Sequence, residues 1–354
     1  MSERLTSSST PKYPRWLQWL PPLFLAVSAI ALFSGTGPVR EIPAEAADSL
    51  FPRMIQLVGQ TLGPEWTPWA LLPFALLLIG CGGDLTRRML PPKTPAPART
   101  LAASLGMVCA TMLLFSWLQR GLSPQSAAQF GMAATACLLA GWSLFLHGET
   151  PGKGHWAGFA GLMLGLGAGA NAFVAIGVLP VFARAAFKLI QNARDNKVRV
   201  GLLLLGFLLG FLPQLDAFRQ SLPAADGFAP AHAAETLRQL FAAAGIGGLL
   251  FVFLALLVGI LQRNALMLGF VLSTLALQKI AAGFYTEPLP ERIGTQLTLV
   301  ALLYAYGLFR LFRGIESGLH SANPAKVKWL MPTLLILLLL LFKVWTARLF
   351  YPAG

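Results

Sequence analysis

Residues 156–188 read WAGFAGLMLGLGAGANAFVAIGVLPVFARAAFK. The run is long enough to cross a bilayer core, for which about 20 apolar residues suffice. Its two flanks, however, demand the same side of the membrane. The loop before it, 148–155, falls on the inner side by the parity of the preceding spans. The residues after it carry Arg184, Lys188, Arg194, Lys197 and Arg199, and connections rich in Lys and Arg stay on the cytoplasmic side. One crossing cannot satisfy both flanks. Two short helices meeting near Asn171 can, so the pattern predicts a helical hairpin over 156–188, re-entrant or spanning twice. Glycines at 158, 161, 165, 167 and 169 allow close helix packing in its first half. Pro180 is expected to bend the second half. For Asn171, capping the turn is the stronger reading; contact with a ligand is the weaker.

Outward from this run, hydropathy places single spans near 16–34, 66–82, 100–118, 127–146, 200–215, 244–261, 265–283, 294–312 and 329–347. The expected fold is therefore all-α: a polytopic transmembrane helical bundle of about nine single crossings plus the hairpin, forming one domain over 1–354. Helices are required because a lipid-embedded backbone must satisfy its own hydrogen bonds, and a barrel would show short alternating strands. Composition agrees. The chain is 56% hydrophobic and only 12% charged, with a mean hydropathy of +0.65, whereas a soluble domain carries about 25% charged residues. The polar, basic start at 1–15 resembles a signal-peptide n-region, but the run behind it is too long for an h-region, so it is expected as a retained first helix.

The net charge of +13 does not point to nucleic acid, since no basic stretch is interleaved with base-stacking aromatics. It reflects Lys and Arg gathered between alternate spans, at 4–15, 87–99, 184–199 and 310–328. The acids gather in the other loops, at Glu41, Glu45, Asp48, Glu65, Asp216, Asp226, Glu235, Glu287 and Glu291. This sorting sets the amino terminus in the cytoplasm and the carboxyl terminus outside. The outside loops are then 35–65, 216–243 and 284–293. The first contains an amphipathic stretch at 50–62. The second is expected to end in a short surface helix at 231–243.

Several chemistries are excluded. Cys81, Cys109 and Cys137 all fall in apolar runs without a CxxC pair, which leaves neither a disulfide framework nor a zinc site. The four histidines lie in polar connections, so no haem ligands are available within the spans. P-loop, Rossmann, GxSxG and HExxH signatures are absent.

The candidate chemistry lies outside. Glu41, Glu45 and Asp48 would share one helix face at spacings of four and three, with Pro43 favouring a helix that starts there rather than earlier. Clustered carboxylates raise one another's pKa, as a general base requires, or hold a divalent metal. A solvated loop of no function is the competing reading. Lys279, late in its span, either snorkels or faces a polar cavity. With Arg292 it would neutralise a phosphate or pyrophosphate. Lys343, flanked by Trp345 and Arg348, reads as an anchor, and Trp66 and Trp69 fit an interfacial belt.

The layout resembles the GT-C class of integral membrane glycosyltransferases, in particular the bacterial protein O-mannosyltransferase-like branch. The likeness rests on DSLFPRMIQLVG at 48–59 behind a first span and acidic loop, on AGLMLGLGAGANA at 160–172 running to Leu179 and Pro180, and on 201–213 followed by FAPAHAAETLRQLF at 228–241. It covers roughly the first 240 residues. The family's His-Pro-Pro-Gly-Tyr-Pro element is reduced here to Phe51 and Pro52. The resemblance implies transfer of a sugar from a polyprenyl-phosphate carrier on the outer face of a bacterial inner membrane. Asp48 would be the base or a metal ligand, with Glu45 and Glu41 next; no further cofactor is implied. Two other expectations stand beside it. One is a non-catalytic subunit of this fold packed against membrane-protein partners. The other is a transporter or lipid flippase, disfavoured by charges confined to span ends and the lack of an inverted repeat.

Overall fold

The computed structural model of the protein describes residues 50–90, 94, 96–119, 127–150, 152–222, 227–235, 237–238, 265–285 and 290–322, with isolated positions at 19, 23, 27, 253 and 256–257. Apart from those isolated positions, the expected spans at 16–34, 244–261 and 329–347, the acidic stretch with Glu41, Glu45 and Asp48, and Lys343 lie outside the described residues. Every described element is helical. In chain order they are α1 (Leu50–Leu62), α2 (Thr67–Arg88), α3 (Ala96–Gln119), α4 (Ala127–Gly148), α5 (Trp156–Ala170), the single turn α6 (Ala172–Ala175), α7 (Leu179–Gln191), α8 (Ala193–Phe211), the short α9 (Leu215–Gln220), α10 (Ala265–Ala282) and α11 (Pro290–Ala322). Five stretches are long and apolar enough to cross a membrane: Pro64–Arg88, Gly131–Gly148, Ala172–Gln191, Asn196–Gln220 and Thr295–Ile315. Trp156–Ala170 and Leu268–Ala282 are apolar but shorter.

Small residues decide how these helices pack. Gly161 lies against Leu203 and Phe207, Gly165 against Phe207 and Phe211, and Gly206 against Gly158 and Leu162. The numbers rise together, so α5 and α8 run parallel with their backbones touching. Against α4 the order reverses: Gly148 meets Ala157, Gly141 meets Leu164, and Gly167 meets Leu138. Two parallel helices in one chain need a return segment between them. Here the return is α6 and α7, which run back along α4. Trp142 Nε1 donates to the Gly177 carbonyl at 2.8 Å, and further along Glu149 binds Lys188 and Arg184. Within 156–188 the chain thus breaks at Asn171 and turns back on itself. Pro180 acts differently from expectation. It sits in the first turn of α7 and starts that helix, a position where its missing N–H leaves nothing unsatisfied. The break comes before it, at Asn171, and from Ala172 through the 3₁₀ turn Ile176–Val178 into α7 the backbone stays helical.

Charge divides the bundle into two ends. Asp84 in the last turn of α2 pairs with Arg87 and Arg88 and accepts from Ser143 Oγ of α4 at 2.5 Å. Glu149, just after α4, pairs with Arg184 and Lys188 of α7. Arg199 lies beside Gly154. α3 starts at this end, because Gly83 lies against Ala103 and Met107. α11 arrives there from the other end, with Thr295 bonded to Thr135 in the first part of α4 and Leu302 level with Gly82. Arg310 and Arg313 follow. One correction concerns α8. Arg194, Lys197 and Arg199 lie on its first turns, not in a loop, because the helix restarts immediately after Asn192. The core between the ends is apolar, with Leu78, Ile79, Leu138, Trp142, Tyr306 and Phe309 fully enclosed. The outer side of α8, with Leu204, Leu205, Leu208 and Leu209, is exposed, within a stretch long and apolar enough to cross a membrane.

Candidate functional site

The end opposite the basic cluster holds the broken helix. α5 stops at Ala170, and Asn171 turns extended, with φ −157° and ψ 120°. Its Oδ1 then accepts from Phe173 N at 2.8 Å, capping the next turn. A helix interrupted at this depth leaves backbone groups that water cannot reach, and side chains from three other elements take them up. Ala172 N donates to Ser221 Oγ at 2.8 Å, behind α9. Gln278 Nε2 of α10 donates to the Phe173 carbonyl at 3.1 Å. Gln214 Nε2 donates to the Leu166 carbonyl at 3.0 Å. The hydroxyl of Tyr285 reaches the Ser221 carbonyl at 3.3 Å, and its ring meets Phe173 edge-on at 6.3 Å. The segment from Gly227 is strapped on by Ala229 N, which donates to the Gly283 carbonyl at 2.8 Å, and by Phe228, whose ring packs on Phe284 at 5.2 Å.

These bonds satisfy the donor half of each amide and leave the other half open. Gln214 Oε1 and Gln278 Oε1 are buried without a hydrogen-bond partner. Gln296, fully enclosed at 0% exposure near the start of α11, has neither amide atom bonded. Lys279 follows Gln278, and its Nζ is buried with no hydrogen-bond partner. A buried ammonium without an anion is among the costliest arrangements a membrane protein can hold. An anionic group would supply the partner that this ammonium lacks.

Of the residues singled out from sequence, Lys279 falls within this junction. Arg292 lies in the first turn of α11 at the same end, though its side chain is outside the described residues. Glu41, Glu45 and Asp48 are outside them too; the sequence runs from Asp48 through Ser49 directly into α1. That helix belongs to this end of the bundle. Phe51 and Ile55 are buried, and Phe51 meets Phe74 of α2 edge-on at 5.0 Å. Trp66 and Trp69 sit exposed at the same level, 5.8 Å apart, as an interfacial belt would. Residues 230–235 are helical; the rest of the surface helix expected at 231–243 is only described at 237–238.

Sequence reading passed over Gln214, Gln278 and Gln296, although an uncharged amide inside an apolar span was a usable signal. It also passed over Asp84, which stands among glycines and leucines and proves to be the anchor of Arg87 and Arg88. The cysteines are unpaired: Cys109 and Cys137 are buried as expected, and Cys81 is half-buried. Among the described residues no group of three His, Cys, Asp or Glu side chains could hold a metal. In comparisons with known proteins the chain matches no family model, no curated protein and no solved structure.

Proposed function

We propose that this chain is a GT-C-type membrane glycosyltransferase of the bacterial inner membrane, taking its sugar from a polyprenyl-phosphate carrier. The observation that carries the reading is Lys279: a buried cation with no partner, beside the broken helix, at the end away from the basic cluster. With the basic end in the cytoplasm, as the positive-inside rule has it, this junction opens to the outer face. The amino terminus is then cytoplasmic and the carboxyl terminus periplasmic, across nine single crossings plus the hairpin.

In this reading the carrier enters from the bilayer and Lys279, with Arg292, holds its phosphate. Open amide oxygens of Gln214 and Gln278 accept from sugar hydroxyls. Asp48, supported by Glu45 and Glu41, removes the acceptor's hydroxyl proton while that oxygen bonds to the anomeric carbon. The anomeric C–O bond to phosphate breaks, and the leaving polyprenyl phosphate keeps the electron pair opposite Lys279. A positioned base contributes about 10²–10⁴-fold to such a step, and a fixed cation at the leaving oxygen adds to it.

The test is sugar transfer by the purified chain in vesicles, from a panel of synthetic polyprenyl-phosphate sugars. Wild type should transfer from at least one donor. Asp48→Asn should lose roughly 100-fold or more in kcat, and Lys279→Gln should mainly raise the KM for the donor. A wild-type chain inactive across the panel, yet recovered in a fixed-ratio complex with other membrane proteins, would replace this reading with that of a non-catalytic subunit.

A further inference from the structure

A second cluster, at the basic end, has no part in that reaction. The last turns of α7, the first turns of α8 and the segment after α4 meet around a recess with room for about one water molecule. Glu149, Lys188, Asn196 and Arg199 stand around it, over a floor that includes Phe145 and Leu203. Glu149 is shared: its Oε1 lies 2.6 Å from Lys188 Nζ and 3.3 Å from Arg184 Nε. Arg199 Nε is buried and has no hydrogen-bond partner. One carboxylate therefore faces three cations, and the cluster keeps an excess of positive charge. Lys153, Arg194 and Lys197 are exposed on neighbouring turns; Asp195 is the one acid in 184–199, against the five cations Arg184, Lys188, Arg194, Lys197 and Arg199.

The surroundings distinguish what this charge would take. Ile190, 84% exposed, and Phe187 stand on the same last turns of α7, and Val198 stands beside Arg199 on α8. Beyond them α8 presents Leu204, Leu205, Leu208 and Leu209 outward. A free anion would make no use of that apolar surface. A phosphate carrying acyl chains uses both parts at once.

We propose that the elbow between α7 and α8 is a binding site for an anionic phospholipid, its phosphate held by Lys188 and Arg199 and its acyl chains lying along the exposed leucines of α8. The site stands independently of the transfer reaction and lies at the other end of the bundle.

The experiment is thermal unfolding of the full chain in a neutral detergent, with phosphatidylglycerol, phosphatidylcholine or inorganic phosphate added, alongside native mass spectrometry of retained lipid. Phosphatidylglycerol should raise the unfolding temperature and remain bound, whereas phosphatidylcholine and inorganic phosphate should do neither. Lys188→Gln with Arg199→Gln should weaken retention by about five-fold for each cation removed, whereas Arg194→Gln should change it little. Glu149→Gln keeps every cation and releases two of them, so it should tighten phosphatidylglycerol binding; it decides the matter if the double variant fails to fold. Equal responses to the two lipids, undiminished binding by a folded double variant, or weaker binding by Glu149→Gln would each overturn the proposal. A shift of the same size with inorganic phosphate alone would assign the recess to a soluble anion and overturn the lipid assignment.

Discussion

Lys279 sits at a position that stability alone would fill differently. Its Nζ is buried and unpartnered, in a helix whose other buried positions, Leu268, Phe270, Val271, Thr274, Gln278 and Ala282, carry no charge. Methionine would occupy similar volume without a charge to desolvate. Lys279→Met should therefore raise stability by roughly 1–2 kcal/mol, read as a higher unfolding temperature in detergent, while donor binding falls. A lower unfolding temperature would show that the ammonium is structurally satisfied and is not waiting for an anion. The residue was legible in sequence as a rare intramembrane cation. Its want of a partner was not, because snorkelling and burial differ only in where the neighbouring helices stand. Gln278 shows the same limit: its amide reaches a carbonyl 105 residues away, a pairing that no local pattern encodes.

At the scale of elements, the contact between α5 and α8 makes a sharp contrast between two glycines of one helix. A methyl group at Gly206 would collide with the Gly158 carbonyl and the Leu162 amide, and backbone cannot move aside as a side chain can. At Gly201 there is open space. Gly206→Ala should destabilise the chain by about 1–3 kcal/mol through overpacking. Gly201→Ala should stabilise it by about 0.5–1 kcal/mol, because alanine loses less backbone entropy in a helix. Unfolding temperatures of the two variants should move in opposite directions; movement the same way would mean the helices are not in backbone contact. The glycine spacing announced close packing without naming the partner. In the structure the glycines of α5 face α4 and α8. The return limb α6–α7 runs instead along α4, where the Gly177 carbonyl is held by Trp142. The reason is that a glycine face fits any other smooth face, and α8, with Gly206 and Gly210, offers the better match.

For the whole molecule, the charge sorting becomes a geometric statement. Cysteines placed at position 153 and at position 65, each in a chain whose Cys81, Cys109 and Cys137 are replaced by alanine, lie exposed at opposite ends. In intact bacterial cells a membrane-impermeant maleimide should label position 65 and leave 153 unlabelled until the membrane is opened. The reverse pattern would turn the bundle over and move the proposed transfer site into the cytoplasm. That the chain is helical, with stretches long and apolar enough to cross a membrane, that it turns back within 156–188, and that the basic residues of 87–88 and 184–199 gather at one end could all be read from the sequence itself. Hydropathy, charge and glycine spacing are properties of consecutive residues, and the bilayer sorts them along a single axis. What only the tertiary structure decided is which groups meet across that axis: Asp84 with Ser143, Glu149 with Lys188, Gln214 and Gln278 with the broken helix. Such pairings depend on the rotation and approach of whole helices, which follow from the summed fit of many small contacts and leave no mark on any one stretch of chain.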